Sequence, residues 1–480
     1  MTDIGSDGFD ELELLRGAAE SALAYLSRLP AEPAAPEGMD GRALELWDGP
    51  LREDGVGAAA AIDELVSNGL PAATRSAGPR FFHFVTGGAT PAALAADWLT
   101  SALDQNSFSW VSSPLGSRTE RVAVDWLKQL FGLPASWGGV VTTGATMANF
   151  VALGAARHWW GLQHGRDVEE SGWAGMPALP VLSSGYLHVS AVKALTMLGV
   201  GRGSIRRFSA DPTGRVDLDR LAAALRDLDG MPSVVIATAG EVNAGDFDPI
   251  GEMADLAHGH HAWLHVDGAF GLFARVSTVA RDLGAGLERA DSAIADGHKW
   301  LNVPYDCGFG FVRDPSLLHA TFAATGAPYL PTDTDTRPSF GDRGAELSRR
   351  ARALAVWATL RAYGASGYRA MVDRHVRLAQ RVGAQVEADP DLELLAPVRL
   401  NVVCFRYRPR DRPEEELDEL NRRLAAAILA DGRVYFGSTV YGGRVAFRPA
   451  ISNWRTTEAD ADLIVQVTKE LGEQLGARSS

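Results

Sequence analysis

Four groups of residues that could do chemistry follow one another along the chain: Ala145 and Thr146 behind Gly144, then His188, Asp267 and Lys299. Lys299 lies between His298 and Trp300, after the apolar part of DSAIADGHKW (291–300) and before a second apolar run, Cys307 to Val312. An ammonium is costly to bury without a partner. Desolvation lowers a lysine's pKa and makes it a nucleophile, and condensation with an aldehyde to a Schiff base removes the charge. Alone, a lysine after a strand is more often a solvated surface residue. Its company argues otherwise. HAWLHVDGAFG (261–271) reads as a buried strand ending in Asp267, and open α/β sheets hold ligands at the carboxyl ends of their strands. VVTTGATMANFVALGAARHW (140–159) reads as a strand that passes through Gly144 into a helix. The first amides of that helix can face an anion; an ordinary strand-to-helix turn capped by threonine is the plainer reading. His188, in SGYLHVSAVKALTMLG, suits a helix cap, a core position or the face of a flat ring.

An anion seat, a ring-face partner, a carboxylate for a pyridine nitrogen and an amine for an aldehyde are the parts that pyridoxal phosphate needs. With them in this order the sequence resembles the group II pyridoxal-phosphate-dependent decarboxylases, of the aromatic-L-amino-acid and glutamate decarboxylase type. The blocks that carry the resemblance are PRFFHFVTGG, SFSWVSSPLGSRTERVAVDWL, TTGATMANFVALGAAR, HVSAVKA, WLHVDGAFG, DSAIADGHKWLNVPYDCG and LSRRARALAVWATLRAYG, from about Pro79 to about Gly364. The resemblance implies a fold type I enzyme that uses pyridoxal 5'-phosphate to decarboxylate an L-amino acid. The implied catalytic residues are Lys299 holding the cofactor, Asp267 on its ring nitrogen, His188 on its face, and Tyr329 in ATGAPYLPTDTDTRPSFGDRG as the proton source. The implied cofactor contacts are Ala145, Thr146, His188, Asn243, Asp267, Ala269, His298 and Lys299. Phe81, Phe84 and Trp110 form the implied substrate wall, which favours an aromatic substrate slightly over an acidic or diamino one. Ser348 falls where plant relatives tend to carry Ser with phenolic and Gly with indolic substrates. An oxidative aldehyde synthase is the competing outcome on this scaffold; retention of Tyr329 and His188 favours simple decarboxylation. A binding protein that has lost catalysis is the non-enzyme alternative.

The chain departs from the family in two places. Asp296 and Gly297 stand where Asn and Pro are common before the His-Lys pair, and an ionised acid facing a phosphate is unfavourable. GEVNAG (240–245) replaces a Gly-Thr-Thr run, with Asn243 as the substitute polar contact. Other signals have plainer readings. His258, His260, His261 and His265 span a helix end and a strand without an H-E-x-x-H pattern, so no metal is expected. Ser112 and Ser113 read as loop hydroxyls, and the cluster Phe81, Phe82 and Phe84 reads equally well as core.

These residues need a scaffold. Strands are expected at Val140–Thr143, Val181–Ser183, Val234–Thr238, Trp263–Val266 and Gly308–Val312. Helices such as Val189–Leu198 and Ile250–His258 lie between them, which implies right-handed crossovers and a mostly parallel α/β sheet. The pattern divides the chain into a helical N-terminal segment (1–75), a large α/β domain (76–365) and a small α+β C-terminal domain (366–480); the resemblance implies that the first carries the dimer contacts and that the second binds the cofactor on a sheet of the seven-stranded type. The N-terminal segment has helical runs at Leu12–Leu29 and Val56–Leu70. The small domain has a helix at Tyr368–Ala388, strands at Val402–Tyr407 and Arg444–Arg448, and a helix at Glu415–Leu429. The chain has 480 residues, a formal net charge of −14 and 46% hydrophobic residues. That size allows a large core, and the acidic balance argues against a nucleic-acid partner. No run is apolar enough to cross a bilayer and no secretory signal opens the chain, so a cytoplasmic location is expected; the N-terminal helices, which need a surface to bury their apolar faces, and the resemblance imply a homodimer. Its two cysteines, Cys307 and Cys404, fit buried free thiols.

Overall fold

The computed structural model describes residues 10–36, 42–324 and 337–477. At its centre is a sheet of seven strands: β1 (Gly138–Thr142), β2 (Val181–Ser183), β3 (Ile205–Arg207), β4 (Ser233–Thr238), β5 (Ala262–Asp267), β6 (Ser292–Asp296) and β7 (Gly308–Val312), in the order β1-β7-β6-β5-β4-β2-β3. Successive residues of these strands enter opposite cores. Val140, Val181, Val234 and Trp263 pack on one face, while Val141, Leu182, Val235 and Leu264 pack on the other. A sheet buried on both faces needs such near-continuous apolar runs rather than alternation.

Strands β2 to β6 pair in parallel, whereas β7 runs antiparallel to both β1 and β6. Two reversals restore direction, so β1 and β6 end at the same edge as β5. That edge therefore gathers Gly144, Asp267 and Asp296. The five expected strands form; β3 and β6 join them. β3 escaped notice because it is short and two of its three residues are exposed arginines. β6 lay in plain view as the apolar run before Lys299, broken by alanines of low strand propensity.

A buried ion pair fixes the end of β1. Arg349 donates to both carboxylate oxygens of Glu120 at 2.7 and 3.0 Å and to the Val141 carbonyl at 2.7 Å; Glu120 accepts from the Val141 amide at 2.9 Å. The C-terminal part is a second, antiparallel sheet of β8 (Leu392–Leu394), β9 (Phe405–Tyr407), β10 (Ser438–Tyr441) and β11 (Arg444–Phe447). It has its own core, in which the Phe436 and Phe447 rings meet edge to face and Phe405 lies tilted against both. The helix expected from Tyr368 begins earlier, at Ala353, and runs to Ala388 with a break at Gly364 (φ 60°), a conformation that glycine adopts without a steric penalty. At the N-terminus the helix Glu11–Arg28, capped by Asp10, buries none of its residues within this chain. The run expected at Val56–Leu70 is an α-helix only over Ala58–Glu64, followed by a wider π turn at Leu65–Gly69.

Candidate active site

Asp267 is the last residue of β5, Asp296 the last of β6, and Lys299 follows three residues later in a π turn, Gly297–Leu301. The Lys299 ammonium lies 3.1 Å from Asp296 Oδ2 and 5.9 Å from the Phe270 ring centre. Its side chain keeps 19% of its surface exposed against 3% for Asp296, so the amine faces open space while its counter-ion does not. The same Asp296 accepts from the Ala145 amide through Oδ1 at 2.5 Å and lies 3.4 Å from His298 Nε2.

The Ala145–Gln163 helix has no side-chain cap, because its N-cap is Gly144. A Cβ on Gly144 would stand 3.0 Å from His298 Cε1, so only a glycine leaves this helix end and the histidine so close. The first amide of the helix is thus open, and the group it takes is an anion. That is the behaviour expected of an anion seat, here filled by a carboxylate of the chain itself. His298 stacks on Tyr305 at 4.1 Å and accepts from the Cys307 amide through Nδ1. Burial lowers its pKa, against the pull of Asp296.

His188 is the N-cap of the Val189–Met197 helix. Ser190 approaches its Nδ1 with both hydroxyl (2.7 Å) and amide (3.2 Å). The amide can only donate, so Nδ1 accepts and the neutral ring carries its proton on Nε2. His188 is an exposed residue, yet the protein around it still removes part of the water from its ring. That desolvation lowers its pKa, although Asp267 pulls the other way. Asp267 itself is buried and accepts from the Asn149 amide group at 3.1 Å and the Ala269 amide at 3.3 Å.

The structure therefore brings Ala145, His188, Asp267, Ala269, His298 and Lys299 to one edge of the sheet, with Thr146 next in the helix. Asn243 is engaged elsewhere: it donates to Glu241 at 2.6 Å and accepts from the Thr439 hydroxyl at 2.6 Å. Phe81 is a core residue, stacked on Tyr435 at 5.2 Å. Phe84 is 59% exposed, held at φ 56° against the His83 ring. Trp110 is covered by the Arg118 guanidinium at 5.5 Å, and Ser348 is exposed. Tyr329 lies outside the described residues. Three of the four histidines weighed for a metal have separate partners: His258 bonds Asp291, His261 bonds Gln163, and His265 bonds Ser292 and Asn149.

Sequence reasoning missed three residues. Asn149 carries a polar signal that was readable: an asparagine inside an apolar helix is unfavourable without a partner. His265 reads in the sequence only as one of a histidine cluster, whereas in the fold it links Ser292 to Asn149. Arg448, just past β11, had no local signal, since it lies far along the chain from Lys299. Its guanidinium is mostly desolvated, which lowers its pKa, and its charge depresses the His83 and His188 pKa values. Among the described residues it has no ion-pair partner; its one hydrogen bond is to the Val242 carbonyl, at 3.4 Å.

A sequence model described as the pyridoxal-dependent decarboxylase conserved domain matches residues 60–408. An aromatic-L-amino-acid decarboxylase from Bacillus atrophaeus is 31% identical over 403 residues, covering 83% of this chain and 82% of that protein. An L-2,4-diaminobutyrate decarboxylase from Rhizobium meliloti is 33% identical over 435 residues, covering 88% and 83%. A crystal structure of Oryza sativa TDC with PLP and tryptamine superposes with a TM-score of 0.88 at 28% identity, over 97% of this chain and 99% of that one. By the match over most of its length, and by the amine, carboxylates and helix end gathered at one sheet edge, the chain belongs to the pyridoxal-dependent decarboxylase family.

Proposed function

We propose that this chain is a pyridoxal 5'-phosphate-dependent decarboxylase that converts an L-amino acid, with an aromatic one slightly favoured, to its amine and CO2. The observation that carries this reading is the convergence of Lys299, Asp267 and the Gly144 helix end at the carboxyl edge of the sheet. The residues present fit the cofactor: a partly exposed amine, a buried carboxylate served only by neutral donors, and an uncapped helix end that already holds an anion. When bound, the cofactor supplies a carbonyl for amines and a pyridinium that draws electrons away from the bond to be broken.

The chain's own residues then divide the work. Lys299 holds the cofactor through its amine. Asp267 keeps a proton on the ring nitrogen. His188 covers the ring face and offers its Nε2 proton to the substrate carboxylate. Ala145, Thr146 and His298 surround the phosphate, and Ala269 steadies Asp267 through its amide. Arg448, a largely desolvated cation that feels Glu241 but has no direct ion pair among the described residues, is the group we assign to anionic parts of the substrate. Phe81, Phe84, Trp110 and Asn243 remain assigned from the resemblance, as does Tyr329 as the proton donor to the product carbon.

We further propose a cytoplasmic homodimer that splits at about residues 75 and 365. Three observations support it. The first helix exposes Leu12, Leu15 and Leu23. The long helix breaks at Gly364. No described helix is long and apolar enough to cross a membrane.

The test is a panel of L-tryptophan, L-tyrosine, L-glutamate and L-2,4-diaminobutyrate, followed for CO2, amine, peroxide and ammonia. Amine and CO2 without peroxide are expected, and a Lys299→Ala preparation should lose the cofactor's visible absorbance. Stoichiometric peroxide would replace this reading by the aldehyde synthase, and no CO2 from any substrate would end it.

A further inference from the structure

Behind Asp267 a row of fully buried polar side chains crosses from β5 and β6 to the Ala145–Gln163 helix. Trp263 Nε1 lies 2.8 Å from Ser292 Oγ, Ser292 Oγ 2.8 Å from His265 Nδ1, His265 Nε2 2.8 Å from Asn149 Oδ1, and Asn149 Nδ2 3.1 Å from Asp267 Oδ2. Ser292, His265 and Asn149 have no exposed surface. Each contact is of hydrogen-bond length, and the protons in the row have one arrangement. An indole N–H only donates and a carboxylate only accepts. Ser292 therefore accepts from Trp263 and turns its own proton to His265 Nδ1. That nitrogen accepts, so the imidazole carries its proton on Nε2 and gives it to the Asn149 oxygen. The asparagine amide then donates to Asp267. The opposite direction would set the Asn149 oxygen against Asp267 Oδ2 and require a proton on the carboxylate.

We propose that Asn149 and His265 are positioning residues for Asp267: with Ser292 and Trp263 they form a one-way row of donors that fixes the direction of the carboxylate and adds no positive charge to it. Rows of this kind polarise in one sense, so each bond strengthens the next. Neutrality matters as much as direction. A cation behind Asp267 would offset the charge that faces the cofactor. Burial holds the His265 imidazole down to about 4, despite the opposing pull of Asp267, so it donates without carrying charge. The Asn149 amide also reaches Ser190 Oγ at 3.5 Å, which bonds His188. One amide thus sets both the residue for the ring nitrogen and the residue for the ring face.

This inference rests on Asp267 facing the cofactor nitrogen, so the experiment separates the two. Cofactor-free protein is titrated with pyridoxal 5'-phosphate and with its 1-deaza analogue, in which a C–H replaces the ring nitrogen. The native protein should prefer the pyridine, and Asp267→Asn should abolish the preference. Asn149→Leu and His265→Phe should each cut it by about tenfold or more, the scale of one hydrogen bond to a charged group, with analogue affinity unchanged. His265→Gln, which can accept from Ser292 and donate to Asn149, should restore much of it. In the loaded protein, the 15N shift of labelled cofactor should move toward the unprotonated value in Asn149→Leu. Asn149→Ser replaces that variant if leucine prevents folding, as judged by thermal unfolding without cofactor. If Asp267→Asn loses the preference while the Asn149 and His265 variants keep it, the row has no positioning role and the reading of Asp267 stands. If Asp267→Asn keeps the preference, that reading fails and this inference falls with it.

Discussion

Two buried carboxylates stand at neighbouring strand ends, and their surroundings differ in kind. Asp267 accepts from a side-chain amide and a backbone amide, both neutral. Asp296 touches the Lys299 ammonium, His298 and the Ala145 amide. Among the described residues the charge of Asp296 is compensated and that of Asp267 is not. Burying a charge without a partner is expensive, so an uncompensated carboxylate in a closed site implies a cation that arrives with a ligand. A protonated pyridine ring is such a cation. In the function proposed above, adjacent strands of one sheet present one carboxylate for the ring and one that restrains the amine.

The largest effect that would break this comparison is expected at Asp267. Asp267→Asn keeps the shape and removes the charge. It should lower kcat by about two to three orders of magnitude, the scale seen when a preorganised electrostatic partner is lost. The measurement is single-turnover decarboxylation at saturating cofactor, so that weaker binding does not enter. A loss below about threefold would mean that the charge of Asp267 is not used, and the two carboxylates would then be equivalent.

Much of this contrast is legible in the sequence, and the exceptions are instructive. Asp267 and Lys299 announced themselves because each interrupts an apolar run at a strand end, where sheets hold ligands. The five expected strands form because their runs suit burial on both faces. Asp296 was read as a departure from the family, with its effect on the phosphate in question. Which atoms it would touch is not readable, since its contact with Ala145 joins a strand end to a helix start far apart in sequence. The same holds for Arg448 and for the row behind Asp267: periodicity finds a face, while pairing across a sheet depends on register and direction. β1 and β6 share an edge only because β7 is antiparallel to both.

The seat shared by Asp296 and Ala145 also depends on the end of β1 staying in place, and the Arg349–Glu120 pair clamps that end at Val141. Both partners are only 2% exposed. Arg349→Met should destabilise the cofactor-free protein by about 3 kcal/mol or more, since it leaves Glu120 buried and unpaired. Adding Glu120→Gln should recover part of the loss. Denaturant unfolding of the two variants measures both. A single variant as stable as the native chain would show that the clamp is dispensable and that the seat is held by Gly144 and His298 alone.

Acid probes the neutral side of the comparison. Burial holds His265 and His83 down to about 4, whereas in the unfolded chain they titrate near 6.5. Below that pH the unfolded state binds protons that the folded state refuses, so stability falls with falling pH. The contribution is fully present above about 6.5 and is lost progressively as pH drops toward about 4. Each such histidine adds a slope of about 1.4 kcal/mol per pH unit in that window. In His265→Phe the slope between pH 6 and pH 5, read from chemical unfolding, should fall by about that amount. An unchanged slope would mean that His265 takes its proton in the folded state, and the surroundings of Asp267 would no longer be neutral.

The smallest effect is expected at Asp296, and its sign is the informative part. The carboxylate holds the Ala145 amide at 2.5 Å, in the seat we assign to the cofactor phosphate. A dianionic phosphate brought there meets a like charge, an unfavourable interaction for which bulk water sets a lower limit of about 1 kcal/mol at a few ångströms. Asp296→Asn removes that charge and keeps an oxygen that can still accept from Ala145. The variant should bind pyridoxal 5'-phosphate at least about fivefold more tightly, the same 1 kcal/mol read as an equilibrium, and inorganic phosphate should protect it from unfolding at lower concentration than it protects the native chain. Lys299 loses its ion-pair partner in the same variant, so the amine should react with pyridoxal, which lacks the phosphate, at a changed rate while its affinity for pyridoxal stays nearly the same. Tighter binding of the phosphate ester alone locates the effect at the helix end. If both compounds bind more weakly, Asp296 serves the amine and not the seat, and the comparison must be redrawn with two carboxylates that both favour the cofactor.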